Sequence, residues 1–261
     1  MGDGAAEISW HELRERLKCV QGEVIEEALV SIYVNGSELA TIMCTPRDQA
    51  DLAMGFLKNE GFIQGLEEVA AIHVTPDGCC VDVWLEHGIE RPTRRIITSG
   101  CGGGVTFQYP EVSNLAFGED SLRIPAARLH VLFNQLQTRD SLYARARGVH
   151  AAGLADGEQV LAMAEDVGRH NTLDKLLGAC MRLGIETRGR LLLATGRVSS
   201  EMMQKAAQMG VPFVASRNSP TSLSVEMARA WGITLVGYVR RQTLRVYSGP
   251  ERLSVPAETA A

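Results

Sequence analysis

Residues 28–34 and 37–44 are two β-prone runs that flank Asn35-Gly36. Asn-Gly between such runs marks a hairpin, because its two-residue turn needs positive φ at both central positions. Thr45-Pro46-Arg47-Asp48 then reads as a helix start, with Thr45 as N-cap and Pro46 at the first helical position. That helix is expected to run to about Glu60 and to stop at Gly61. A second hairpin covers 69–75 and 79–85, turning at Pro76-Asp77-Gly78. The first third of the chain therefore reads as mostly antiparallel β with one helix.

Residues 91–125 form a long connection with no clear period, and they hold Thr98-Ser99-Gly100-Cys101-Gly102-Gly103-Gly104. Connections of that length inside a compact protein carry function or lack order. Arg95-Ile96-Ile97 argues that part of this one is anchored. A boundary near its end divides the chain into a smaller β-rich domain, 1–124, and a second domain, 125–261. In the second, 126–138 reads as a helix, and 148–154 with 159–164 as a hairpin turning at Asp156-Gly157. Leu173, Leu176, Leu177, Cys180 and Met181 then make an apolar stripe at helical spacing. Strand 191–194, helix 199–209, strand 211–215, a helix from Ser219-Pro220 to Trp231 and a last core strand, 233–239, follow. Such alternation implies an α/β (α+β) fold, a mixed sheet with helices on its faces.

Composition narrows the function classes. The chain has 261 residues, 45% of them apolar and 22% charged, which fits a folded protein with a sizeable core. Its net charge of −5 argues against a general nucleic-acid binder. The start, MGDGAAEISWHELRERL, lacks a secretory pattern, and Ala6 stands where a myristoylation motif wants Ser or Thr. No apolar run approaches a membrane span. The expectation is a cytoplasmic protein without a nucleic-acid or membrane partner. Its six cysteines include no Cys-x-x-Cys pair, so free thiols and no zinc or other metal are expected.

Three places could carry chemistry. Cys101 stands among four glycines, which remove steric cover and let backbone N–H groups approach the sulfur. That setting favours a reactive thiolate; a glycine hinge with an incidental cysteine is the other reading. Cys44, Cys79, Cys80 and Cys180 read as core residues. Second, Asp166-Val167-Gly168-Arg169-His170-Asn171 joins a strand to a helix, where ligand crevices form in such sheets. Arg169 and His170 could bind an anion, or Asn171 could simply cap the helix. Thr195-Gly196-Arg197 and Ser216-Arg217-Asn218 occupy matching junctions, so three loops could converge on one crevice. Third, Tyr238-Val239-Arg240-Arg241-Gln242-Thr243 ends the last core strand with adjacent arginines, which on their own read as a solvated loop. A zinc deaminase site would need His-x-Glu and Pro-Cys-x-x-Cys. His150-Ala151-Ala152 offers only the histidine.

Several motifs in order resemble the formate dehydrogenase accessory sulfurtransferase family, FdhD/NarQ. They are Met54-Gly55-Phe56 with Glu60-Gly61, Glu165 to Asn171 with Asp174-Lys175, Ser199-Ser200-Glu201-Met202 with Lys205, and Leu235-Val236-Gly237-Tyr238 with Val246-Tyr247. The resemblance implies a cytidine-deaminase-like domain after a smaller one, as a homodimer. It implies a sulfurtransferase that takes persulfide sulfur from a cysteine desulfurase and passes it to bis-molybdopterin guanine dinucleotide, the cofactor of the formate dehydrogenase catalytic subunit. The persulfide cysteine falls on Cys101, and the segment linked to cofactor binding falls on Tyr238, Val239, Arg240, Arg241, Gln242 and Thr243. Many members carry Cys-Gly-x-Cys-Gly, whereas Gly104 holds the second cysteine's place here, and Thr243 replaces a frequent arginine. A cofactor-binding chaperone that moves no sulfur is the competing function.

Overall fold

The computed structural model describes residues 3–90, 96–97, 105–106, 122–241 and 243–254. Strands β1 (Ala5–Leu13) and β2 (Leu17–Ile25) form an antiparallel ribbon that pairs with no other strand among the described residues. Arg145 holds its base through ion pairs to Glu23 and, at 2.8 Å, to Asp3.

β3 (Ala28–Val34) and β4 (Ser37–Cys44) make the expected hairpin, and Asn35 and Gly36 both take positive φ, 50° and 74°. β4 leads into α1 (Gln49–Asn59), followed by β5 (Val69–Val74) and β6 (Cys80–Leu85). The sheet order is β4-β3-β6-β5, antiparallel except for the parallel β3–β6 pair. Leu52, Phe56 and Leu57 of α1 bury their side chains against Val30, Ile32, Val81 and Val83, each burial contributing about 1.5–3 kcal/mol.

Two expectations fail here. The N-cap of α1 is Asp48, with φ of 56°, not Thr45. Thr45 cannot cap the helix because its polar groups are committed across the fold, as described below. Cys79 is exposed and Cys80 half-buried, whereas Cys44 and Cys180 are buried as expected. Val81 and Val83 face α1, so the alternation of β6 turns Cys80 to the uncovered side. Cys79 precedes the strand, in the turn where the Asp77 carboxylate accepts from its N–H.

Short strands β7 (Ile96–Ile97) and β8 (Val105–Thr106) pair with each other. Beyond them lie β9 (Ile124–Pro125), α2 (Ala126–Gln135), α3 (Leu142–Ala146), β10 (His150–Ala155), β11 (Val160–Asp166) and α4 (Arg169–Leu183). Next come β12 (Leu191–Ala194), α5 (Ser200–Gln208), β13 (Phe213–Ser216), α6 (Ser222–Trp231), β14 (Thr234–Gly237), β15 (Arg245–Ser248) and β16 (Leu253–Ser254), which pairs with β9. Six of these strands form one mixed sheet, ordered β11-β10-β12-β13-β14-β15, in which β12, β13 and β14 run parallel. Both faces are covered, which is why the central strands are continuously apolar. Leu192, Val214 and Leu235 point into a core shared with α4, α5 and α6, including Leu176, Met203 and Trp231. Their neighbours Leu193, Phe213 and Val236 point to the opposite core, where α2 supplies Leu129, Leu132 and Phe133. No helix of the described residues is long and apolar enough to cross a membrane.

Candidate nucleotide site at the strand ends

The chain leaves β12, β13 and β14 on one edge of the sheet, and β10 enters on that same edge because it is antiparallel to β12. Backbone and hydroxyl bonds stitch these ends together. Ala151 N–H donates to Thr195 Oγ1 at 2.9 Å, and Ser216 Oγ donates to the Gly196 carbonyl at 2.6 Å. Val239 N–H donates to the Ser216 carbonyl at 3.0 Å, and Tyr238 N–H to that of Asn218 at 3.2 Å. Tyr238 pays for this path with a left-handed backbone, φ of 52°, rare for a bulky residue. Arg245 stacks over its ring at 4.3 Å.

A cleft of about 320 Å³ opens at this edge, lined by Gln137, Tyr143, Val149, His150, Ala151, Thr195, Arg217 and Arg240. It is of small-molecule size, and no carboxylate lines it among the described residues. Arg240 donates to the Arg217 carbonyl at 2.6 Å, bringing two guanidinium groups to one wall. Burial, then the neighbouring Arg240, lowers the pKa of Arg217. Arg217 also rests on the Phe133 ring at 5.4 Å. His150 is likewise lowered, by burial first and then by Arg169. Such a wall suits an anion with a planar or polar body.

The predicted site residues divide. Arg240 lines the cleft. Val239 is buried in the core beneath it, and Tyr238 is half-buried. Arg241 and Thr243 are exposed; the Thr243 carbonyl accepts from Arg240 N–H at 2.8 Å, closing the turn. Cys101 and Gln242 lie outside the described residues. Arg169 is buried beside Gly196, where an added Cβ would stand 3.0 Å from Arg169 Cβ and 3.2 Å from His150 Nδ1. His170 turns inward: its Nε2 lies 3.2 Å from Ser199 Oγ and 3.3 Å from Glu201 Oε2. Burial, with Lys205, Arg169, His150 and Arg197 adding repulsion, drives its pKa down to about 2, so the imidazole is neutral. It meets the Glu201 carboxylate as an N–H donor, without a charge to offer an anion.

The three anticipated junction loops do meet at this edge, but two amides after β11 are already engaged, one by Asp166 and one by Thr45 of the small sheet's exit. Asp166 Oδ1 accepts from Gly168 N–H at 2.7 Å, and Val167 N–H donates to Thr45 Oγ1 at 3.1 Å. Behind the loop lie two buried ion pairs, Asp166–Lys175 at 2.7 Å and Asp174–Lys205 at 2.5 Å. Burial alone would discharge Lys205, but Asp174, Glu201 and Glu60 outweigh it and hold the ammonium above its usual range. Glu60 also accepts from Thr106 Oγ1 at 3.0 Å, fixing the chain five residues beyond Cys101 to the end of α1.

The FdhD/NarQ family pattern matches residues 25–254. The chain belongs to this family. Sulfur carrier protein FdhD of Bacillus pumilus is 36% identical over 94% of this chain and 95% of its own length. Its namesake in Bacillus subtilis is 34% identical over 94% and 95%. A crystal structure from Desulfotalea psychrophila, described as a formate dehydrogenase accessory protein, superposes with a TM-score of 0.76 at 27% identity, covering 96% of this chain and 99% of that one. Five of the cleft residues received no binding role from sequence: Gln137, Tyr143, Val149, His150 and Ala151. Gln137 and Tyr143 carry no local signal of a binding role. His150 stands beside the site only because β10 is antiparallel to β12, a long-range pairing.

Proposed function

We propose that this chain is a sulfur carrier that serves a formate dehydrogenase, accepting sulfur on Cys101 and holding the nucleotide end of its molybdenum cofactor in the arginine-lined cleft. The observation that carries the reading is the meeting of Arg240 and Arg217 on one wall of a cleft with no carboxylate among its described lining. Arg240 belongs to the segment that the family resemblance links to the cofactor. Kinship along nearly the whole chain with relatives named sulfur carriers supports the transfer role.

The first step balances without an outside oxidant. The Cys101 thiolate attacks the outer sulfur of a desulfurase persulfide, forms a new S–S bond and expels the donor thiolate. Passing that sulfur on as sulfide requires two electrons, which a thiol reductant supplies. The bis-molybdopterin guanine dinucleotide is cargo rather than a resident group. A homodimer, a division near residue 124 and sulfurtransferase catalysis belong to the same proposal.

Gly104, in place of a second cysteine, favours one competitor, a chaperone that binds the cofactor and moves no sulfur. Incubation with a cysteine desulfurase and free cysteine, followed by mass spectrometry, separates the two. The carrier gains one sulfur on Cys101 and none after Cys101→Ser. An unmodified Cys101 leaves the chaperone.

A further inference from the structure

Thr45 follows β4 and is fully buried, yet it does not cap the helix that comes next. Its backbone N–H donates to Asp166 Oδ2 at 3.0 Å, and its carbonyl accepts from Lys175 Nζ at 2.9 Å. Its hydroxyl accepts from Val167 N–H at 3.1 Å. Two residues earlier, the Met43 carbonyl accepts from Asn171 Nδ2 at 2.9 Å, and that same amide donates to Asp166 Oδ1 at 2.8 Å. The exit of the small sheet is thus fastened through Thr45 to the end of β11, to the turn that follows it and to Lys175 of α4.

That turn supports the cleft. Asp166 is the cross-strand partner of His150, which lines it. Arg169, three residues on, packs against the Gly196 backbone beside the same histidine. A residue that served only to fill space here would need no hydroxyl. The Thr45 hydroxyl takes the Val167 amide, while the Asp166 carboxylate takes that of Gly168.

We propose that Thr45 is a positioning residue: its hydroxyl fixes the turn at Val167, Gly168 and Arg169, and through it the placement of His150 at the cleft and of Arg169 beside that histidine. This rests on the reading of the cleft as a nucleotide site. Thr45→Val keeps the volume and removes the acceptor, while Thr45→Ser keeps the acceptor.

The test is calorimetric titration of guanosine diphosphate into the full-length protein and its variants, with thermal melts recorded alongside. Thr45→Val weakens binding about tenfold, the factor an ordinary hydrogen bond is worth, and Thr45→Ser stays within about threefold of the unaltered protein. Should Thr45→Val fail to fold, Asn171→Ala, which cuts the strap between Met43 and Asp166, weakens binding instead, and its unchanged affinity overturns the inference. Thr45→Val binding as tightly as the unaltered protein, or both Thr45 variants losing affinity equally, also overturns it. Arg240→Ala runs in parallel. Loss with Arg240→Ala but not with Thr45→Val sinks this inference alone, whereas no binding by the unaltered protein sinks the cleft reading and this inference together.

Discussion

A Cβ on Gly55 of α1 would stand 1.8 Å from the carbonyl oxygen of Asp174 in α4, and one on Gly178 would stand 1.9 Å from that of Asp51. The two helices therefore meet backbone to backbone, each glycine accepting the other helix's peptide group. Bonds on either side lock the crossing. Arg182 grips both Asp51 oxygens at 2.8 and 2.7 Å, and Asn59 Nδ2 donates to Asp174 Oδ1 at 2.7 Å. No rotamer can relieve a clash with backbone, so an added methyl must part the helices. Gly55→Ala and Gly178→Ala are each expected to cost about 3 kcal/mol or more, the upper range for overpacking. Urea unfolding measures this, and a loss below about 1 kcal/mol would show that the crossing yields freely.

Local chemistry made some of this fold legible and long-range chemistry hid the rest. Asn35-Gly36 announced its hairpin because the turn conformation is set by those two residues. The apolar runs of β12, β13 and β14 were legible for a similar reason, since strands covered on both faces need no polar alternation. The β1–β2 ribbon was missed: its bend at Arg14-Glu15-Arg16 contains no Gly, Pro, Asn or Asp to mark a turn. The Thr45-Pro46 pair imitated a cap, and only the partners at Asp166, Val167 and Lys175, more than a hundred residues away, show why it is not one. At the site, the junction loops were foreseeable from the rule for α/β crevices. The inward turn of His170 depends on α5, which no motif spacing reveals.

Thiol reactivity should divide the cysteines by burial. Burial, and then the nearby Asp166 carboxylate, pushes the Cys44 thiol up to about 12, and burial, then Asp51, does the same to Cys180. Both are therefore protonated and shielded at neutral pH, whereas Cys19 and Cys79 are exposed. With two exposed thiols outside the Cys101 segment, ordinary alkylation cannot identify the carrier. Iodoacetamide on the native protein should label Cys19 and Cys79 within minutes to hours and spare Cys44 and Cys180 until denaturant is added. Peptide mapping reads this directly, and rapid native labelling of Cys180 would contradict the packing of α4.

His170 should make the fold acid-sensitive in a defined window. Its folded pKa of about 2 lies below the ordinary histidine value, so the unfolded chain binds the proton first. The stability it contributes is whole above about pH 6.5 and drains as pH falls from there toward the folded value, by at most about 1.4 kcal/mol per pH unit. His150, lowered for the same reasons, acts in the same direction. His170→Gln keeps an N–H donor near Glu201 and removes the titration. Its melting temperature should therefore fall less between pH 7 and pH 5 than that of the unaltered protein. Parallel pH dependences in the two proteins would mean that the fold does not lower the pKa of His170.

The two arginines that end the last core strand should not be equivalent. Both are exposed, but Arg240 lines the cleft and is oriented by its bond to the Arg217 carbonyl, while Arg241 is not among the lining residues. Arg217 shares the wall, and burial first and Arg240 second lower its pKa. Arg240→Ala and Arg217→Ala are each expected to weaken guanosine diphosphate binding by about 1.5–3 kcal/mol, the range for a charged hydrogen bond. Arg241→Ala, an exposed charge, should cost less than about 1 kcal/mol and mainly at low salt. Calorimetry across a salt series distinguishes them, because contacts inside the cleft persist where a screened surface charge fades. If Arg241→Ala proves the most damaging of the three, the nucleotide binds outside this cleft, on the face of the turn that carries Arg241.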